Sequence, residues 1–132
     1  TLYLTNNNTY TGATNVSAGT LSVSNANALG TTAGTTSVAV GATLNINNTA
    51  LGAETILLGS AGVGSATLSS TGTASLAGDL NMQFAALFDG TGTLTLSGQI
   101  FGAGISMNKN GSSTLVLAGT NNSTGAMNIN AG

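Results

Sequence analysis

The chain has 132 residues, enough for one domain, yet it contains only four charged side chains and no histidine, cysteine, proline or tryptophan. Binding to a phosphate backbone needs many lysine or arginine residues, so a single lysine excludes nucleic-acid binding. Without cysteine or histidine, neither a disulfide framework nor a zinc site can form. Hydrophobic residues make up 41% of the chain and are regularly spaced, which argues against a disordered segment.

Six short segments alternate apolar with small polar residues in chain order: LYLT, TLSVS, TLNIN, ATLSS, TLTLS and TLVLA. This period of two is typical of strands with one buried face. The leading leucines recur every 19 to 26 residues, which indicates an internal repeat. We expect them to form one inner column, made of Leu2, Leu21, Leu44, Leu68, Leu94 and Leu115.

Further short apolar segments lie between these six, separated by glycines or by asparagine clusters such as NNNTYTG. Hairpins explain this pattern poorly, because the one Asn-Gly pair, Asn110-Gly111, is isolated. The pattern predicts an all-β fold, a single-stranded parallel β-helix (β-solenoid) of about six turns of roughly 22 residues, spanning residues 1–132. Leu, Val and Ile would point inward, Thr and Ser outward, and Asn would form ladders along the stack. Right-handed coiling is the expectation for parallel crossovers.

One segment departs from the strand pattern. QFAALF, from Gln83 to Phe88, is flanked by Met82 and Asp89 and is compatible with a short helical turn or a bulging loop. We interpret it as an insertion whose apolar side chains cover the side of the coil, with a binding protrusion as the alternative.

The two ends of the chain repeat one phrase. TLYLTNNNTYTGATNVSAG at residues 1–19 aligns without a gap with TLVLAGTNNSTGAMNINAG at 114–132, and 10 of the 19 positions are identical. The offset is 113 residues, about five turns of the predicted coil. We therefore expect the chain to be a piece of a longer repeat protein with a unit of about 113 residues.

These ends resemble a known motif, the autotransporter-associated β-strand repeat of secreted passenger domains and large surface adhesins of Gram-negative bacteria. Its pattern runs L-x-K-x-G-x-G-x-L-x-L-x-G, then a Tyr-x-Gly element, then V-x-x-G-x-L. The C-terminal match includes Met107, Lys109, Gly111, Leu115, Leu117, Gly119, Gly125, Ile129 and Gly132, and the N-terminal match Leu2, Leu4, Tyr10, Gly12, Val16, Gly19, Leu21 and Val23. Met107, Ser113 and Ser123 depart from the pattern.

The resemblance implies a β-helical passenger at the bacterial surface or secreted across the outer membrane. Lys109, Gly111, Gly12 and Gly125 are then structural motif positions at turns. For Lys109 the alternative is an ordinary solvated turn residue; neither interpretation involves chemistry.

Catalytic and metal-binding chemistry has few candidates. Glycoside chemistry on β-helices needs paired carboxylates, but Asp79 and Asp89 are ten residues apart and Glu54 is over a turn away. No histidine, cysteine or arginine could act as base, nucleophile or anion clamp. No EF-hand or glycine-rich calcium repeat is present. We therefore predict no enzyme activity and no cofactor.

Two functions remain. In the first, the chain is a structural section of a secreted rod, stalk or fibre. In the second, a flat threonine-rich face binds ice or carbohydrate, including host or cell-surface glycans; Thr91, Thr93 and Thr95 form the best row. Other turns place Ser or Asn at these positions, for example Ser22 and Asn45.

The ends favour the structural function. Solenoids normally need polar terminal caps, and here the strand pattern runs to both ends without one. We expect further copies to cover these ends, either as covalent tandem units or as separate copies that stack into a filament. The sequence does not choose between the two. No apolar run approaches the roughly 18 residues of a membrane-spanning helix, so no membrane insertion by this segment is expected.

Overall fold

The computed structural model describes residues 1–132 as 16 strands without a helix. The strands are β1 Leu2–Leu4, β2 Thr14–Val16, β3 Thr20–Val23, β4 Thr36–Val38, β5 Thr43–Asn47, β6 Ala50–Leu51, β7 Ile56–Leu58, β8 Ser65–Thr71, β9 Thr73–Leu76, β10 Leu80–Met82, β11 Ala85–Gly90, β12 Thr93–Leu96, β13 Ile100–Phe101, β14 Met107–Lys109, β15 Thr114–Leu117 and β16 Met127–Ile129. No helix in the structure could cross a membrane.

The strands form three sheets that wind into about six turns of a β-solenoid. The first sheet has the order β1-β3-β5-β8-β11-β14-β16, the second β13-β10-β7-β4-β2 and the third β15-β12-β9-β6. Every paired strand is parallel to its neighbour. From the third turn on, the chain visits the first, third and second sheets in that order. The predicted all-β parallel solenoid is confirmed.

Alternation of side chains along each strand builds the core. In β5, Leu44 and Ile46 are buried between the partly exposed Thr43, Asn45 and Asn47. Because successive side chains of a strand point to opposite faces, stacked turns bring the inward residues into one continuous apolar column. The core contains 24 buried apolar residues, so it extends through the coil rather than forming separate clusters.

The six leading leucines lie on two sheets rather than in one column. Leu2, Leu21, Leu44 and Leu68 are aligned on the first sheet, whereas Leu94 and Leu115 pair on the third. Leu2 is also 60% exposed, since the first turn has a neighbour on one side only. The physical reason for the split is that alternation specifies which side of a strand is buried but not which side of the coil the strand occupies.

The interpretation of Gln83–Phe88 as an insertion is wrong. Ala85–Gly90 is a strand of the first sheet, aligned with β8 on one side. Phe88 pairs with Leu68 and is fully buried, so it continues the leucine column of that sheet. Phe84 is the one exposed aromatic of the segment. Alanine at the inward position of Ala86 weakened the strand pattern in the sequence.

Glycines allow one corner of the coil to stack closely. Gly52, Gly78, Gly98 and Gly119 follow the third-sheet strands in four consecutive turns. A Cβ atom at Gly98 would overlap the carbonyl oxygen of Gly78, and one at Gly119 would overlap that of Gly98. Only residues without a side chain let these backbones approach at the spacing of the sheets.

The first two turns differ from the later ones. Residues 5–13 and 24–35 form loops where the later turns have a third-sheet strand. The loops stack on each other through backbone bonds from Asn8 to Asn27 and from Thr31 to Tyr10. The third sheet therefore begins only at β6, while the first sheet runs the whole length of the coil.

Candidate interaction surfaces at the two ends

The N-terminal end presents an apolar depression. β1 and β2 each have a strand partner on one side only, which leaves the backbone groups of the other edge unpaired within the chain. Leu2 and Tyr3 are exposed there. The depression has a volume of about 400 Å³, and Leu4, Val16 and Leu21 contribute to its lining. This end therefore combines free strand edges with apolar side chains.

The C-terminal end is built the same way. Here β15 and β16 are the last strands of the third and first sheets. Leu115, Leu117, Met127 and Ile129 line a depression of about 250 Å³, and Ile129 is 65% exposed. The two ends thus present the same combination of strand edge and aliphatic surface, with opposite edges of the parallel sheets facing outward.

Lys109 closes the core near this end. It is aligned with Phe88 on the inward side of the first sheet and is only 5% exposed. Its Nζ donates hydrogen bonds to the carbonyl oxygens of Asn110 at 2.5 Å, Gly111 at 3.0 Å and Ala131 at 3.3 Å. The interpretation of Lys109 as a solvated turn residue is therefore wrong: the side chain is buried and joins two consecutive turns.

The motif glycines lie at turns. Gly111 has a φ of 66°, a conformation that favours glycine, directly after β14. Gly12 lies in the loop between β1 and β2, where its carbonyl oxygen leaves no space for a Cβ atom at Gly34. A Cβ atom at Gly125 would overlap the backbone of Ile105 in the turn below. Glycine at Gly34 and Gly125 thus permits close stacking of consecutive turns, whereas a Cβ atom at Gly12 itself would meet no atom within 4 Å.

Asparagine pairs connect the last turns on the outside of the coil. Asn128 donates to the side-chain oxygen of Asn108 at 2.9 Å, and Asn130 donates to that of Asn110 at 2.8 Å. The sequence predicted ladders of this kind in general, but it did not identify these pairs, because their alignment depends on the register of β14 with β16.

The predicted threonine row lies on β12 of the third sheet and on the residues just before that strand. Thr93 and Thr95 alternate with buried leucines in β12, and Thr91 precedes that strand. Thr93 is aligned between Thr73 and Thr114, whereas Thr95 is aligned between Ser75 and Val116. The outer face therefore has one threonine column three turns long and a second column of mixed composition.

Each of the three acidic side chains accepts a hydrogen bond from a different residue. Glu54 is buried and accepts a hydrogen bond of 2.7 Å from the Thr36 hydroxyl. Burial raises the pKa of the Glu54 carboxyl above its usual value, and the hydrogen bond from Thr36 opposes that rise. Asp79 accepts from the backbone N–H of Gln99 at 3.0 Å, and Asp89 from that of Gly90 at 2.7 Å. No group of three potential metal-ligating side chains is present.

Comparison with known proteins finds a family match at both ends of the chain. The family model of the passenger-associated-transport-repeat matches residues 1–23 and 107–132. Neither the curated proteins nor the solved structures gave a match. The first and last turns of this β-solenoid are therefore similar to an autotransporter passenger repeat, in agreement with the resemblance noted from the sequence.

Proposed function

We propose that this chain is a structural, non-catalytic segment of a secreted or surface-displayed bacterial passenger, which serves as a length of an adhesin-like stalk or extracellular fibre. The two passenger repeats support a passenger context. The observation that carries the structural role is one apolar core that continues through all turns of a parallel solenoid.

The solenoid is suited to a mechanical role. Its core continues from turn to turn without interruption, and burial contributes about 25 cal/mol for each Å² of apolar surface removed from water. Parallel pairing along the whole first sheet links seven strands by backbone hydrogen bonds. Extension by further turns would bury the exposed apolar side chains of both ends. In this proposal, further copies of the chain or of its repeat unit are the partners.

Electron microscopy of the native material tests the structural role. We expect thin unbranched rods or fibres, since parallel turns add length only along the coil axis. Compact globular particles in the native material would contradict the proposal.

Antibody labelling of intact cells tests the location. A surface-displayed segment should react with an antibody raised against the 132-residue chain before cells are permeabilised. Labelling that appears only after permeabilisation would contradict an extracellular location and would leave the rod architecture to be judged by microscopy.

A second candidate function is binding of ice or carbohydrate by the outer face of the third sheet. The column of Thr73, Thr93 and Thr114 favours it, because hydroxyl and methyl groups there recur at the strand spacing of about 4.8 Å. Replacement of Thr93 by Lys should abolish binding to a glycan array or to ice. Unchanged binding by Thr93→Lys would exclude this face.

A further inference from the structure

The matching ends do not lie on the same side of the solenoid. On the first sheet, alignment leads from Leu2 through five successive strands to Lys109, a span of 107 residues. The sequence match has an offset of 113 residues. The six additional residues carry the chain from the first sheet to the third, where Leu115, the equivalent of Leu2, is located.

The same displacement applies to the rest of the matched phrase. Thr14–Val16 is a strand of the second sheet, whereas the equivalent Met127–Ile129 is a strand of the first. In each copy, nine residues separate the two strands. Both copies of the phrase therefore have the same local conformation. The second copy lies one sheet further along the winding order of first, third and second sheet.

We infer that separate copies of this chain stack end to end with a rotation of one side of the three-sided coil, so that residues 1–19 of one copy lie on residues 114–132 of the copy before. This inference rests on the proposed end-to-end extension and adds the geometry of the joint. Three units would return a given surface feature to its original side.

Strand edges support the rotated joint. With rotation, β1 of the added copy pairs with the free edge of β15, and its β2 pairs with the free edge of β16. The loop 5–13 then lies on the loop 118–126. Without rotation, β1 would lie on β16, but β15 would face a loop and β2 would face Asn121–Ser123, which is not a strand. Only the rotated joint pairs both strand edges, which are otherwise left with unpaired backbone groups.

Side chains support it as well. Leu2 and Leu4 of the added copy would cover Leu115 and Leu117, which lie half-buried at the exposed end of the core. Asn15 would lie on Asn128 and extend the pair of Asn108 with Asn128. Like residues thereby stack on like, as in the ladders within the chain.

Covalent continuation requires the same rotation. Residues 20–23 follow the first copy of the phrase and pair with β1. In a tandem repeat, the sequence of residues 20–23 would follow directly after Gly132. The same short turn would then place this strand on β15, the equivalent of β1. A strand on β16 would instead need a further whole turn of chain.

Engineered disulfides between single-cysteine variants test the joint. The chain has no cysteine, and directly opposed residues of neighbouring parallel strands lie within the Cα distance of a disulfide. Asn128→Cys is mixed with Asn15→Cys, its partner in the rotated joint, or with Thr1→Cys, which the first-sheet register would place on it without rotation. Val63→Cys, at a site that is 97% exposed in the middle of the coil, measures random collision.

The rotated joint predicts that Asn128→Cys forms mixed disulfides with Asn15→Cys about tenfold more than with Val63→Cys, since stacking raises the effective concentration of the two thiols. Mass spectrometry of the oxidised mixtures identifies each pair. The inference is overturned if Thr1→Cys gives the higher yield, or if Asn15→Cys does not exceed the Val63→Cys background.

Circular dichroism of each variant must match the parent chain before mixing, so that misfolding is not read as a missing contact. Failure of the joint is distinguishable from failure of the structural role. Rods in the native material together with background cross-linking would refute the rotated contact alone, whereas globular native particles would refute the structural role.

Discussion

The Thr36 hydroxyl donates a hydrogen bond of 2.7 Å to Oε1 of Glu54 inside the solenoid, where the two residues belong to consecutive turns. Both side chains are buried. A carboxylate in such a place loses solvation, and one hydrogen bond from a neutral hydroxyl replaces only part of it. We therefore expect the stability of this part of the core to depend on the ionisation of Glu54.

Stability should fall as Glu54 ionises. Burial raises the pKa of Glu54 in the folded chain above the ordinary value of 4.5, so the folded state binds the proton more tightly than the unfolded state. The stabilising contribution of protonated Glu54 is therefore full below pH 4.5 and is lost as the pH rises through the raised pKa. We expect Glu54→Gln to melt at a higher temperature than the parent at about pH 7, with a difference that shrinks towards about pH 4.

Two substitutions at Thr36 provide the control. Thr36→Ser keeps the hydroxyl and should preserve most of the stability, whereas Thr36→Val removes the donor and should cost about 1–3 kcal/mol at about pH 7. A melting difference between Glu54→Gln and the parent that does not change with pH would show that ionisation of Glu54 is unimportant to the fold.

The leucines should differ in energetic weight according to their position. Leu94→Ala should lower the free energy of unfolding by about 2–5 kcal/mol, because Leu94 is fully buried. Leu2→Ala should change it by no more than about 0.5 kcal/mol in the isolated chain, and Leu115→Ala should fall between them. Urea unfolding measures the series. Equal losses at all three positions would contradict the placement of Leu2 and Leu115 at open ends.

These leucines also show what the sequence could predict. Alternation and turn residues were sufficient for the parallel solenoid, its number of turns and the register of Leu2, Leu21, Leu44 and Leu68. They could not predict that Phe88 takes the next position of that column. The change of side arises because TLTLS and TLVLA form third-sheet strands, which follow the first-sheet strands β11 and β14. Alternation does not report which side of the coil a strand occupies.

The end surfaces were predictable only in part. Repetition of one phrase indicated that both ends could be extended, but the rotation between them follows from counting aligned strands. Lys109 illustrates the same limit. Its place in the motif was visible in the sequence, whereas its burial depends on inward alternation in β14 and on the carbonyl of Ala131 one turn later.

At the corner formed by Gly52, Gly78, Gly98 and Gly119, alanine should be tolerated at Gly52 but not at Gly98. In Gly98→Ala, the new methyl group would overlap the carbonyl oxygens of Gly78 and Ala77, so the turns must separate locally. We expect a loss of about 1–3 kcal/mol in the free energy of unfolding, the usual cost of overpacking. Thermal and urea unfolding measure it.

Gly52→Ala is the matched control for this corner. Gly52 occupies the same corner position two turns earlier, and a Cβ atom there would meet no atom of a neighbouring turn within 4 Å. Its substitution should leave stability unchanged or raise it by about 0.4–1 kcal/mol, because alanine restricts the unfolded chain. If both glycine variants lose the same stability, close stacking is not the reason for glycine at Gly98.

Removal of the Lys109 amine should loosen the last turn selectively. Lys109→Met keeps an unbranched apolar side chain in the inner column, next to Phe88 of the preceding turn. It loses the three hydrogen bonds to backbone carbonyl oxygens. The backbone N–H groups of Asn130 and Ala131, which bond to the carbonyl of Lys109, should then exchange with deuterium faster, while those of β8 and β11 keep their protection. Because no carboxylate pairs with the amine, the parent should show the same protection at low and high salt. Uniform loss of protection along the coil would instead assign Lys109 to the stability of the whole core, and unchanged protection at Asn130 would deny that its amine holds the two turns together.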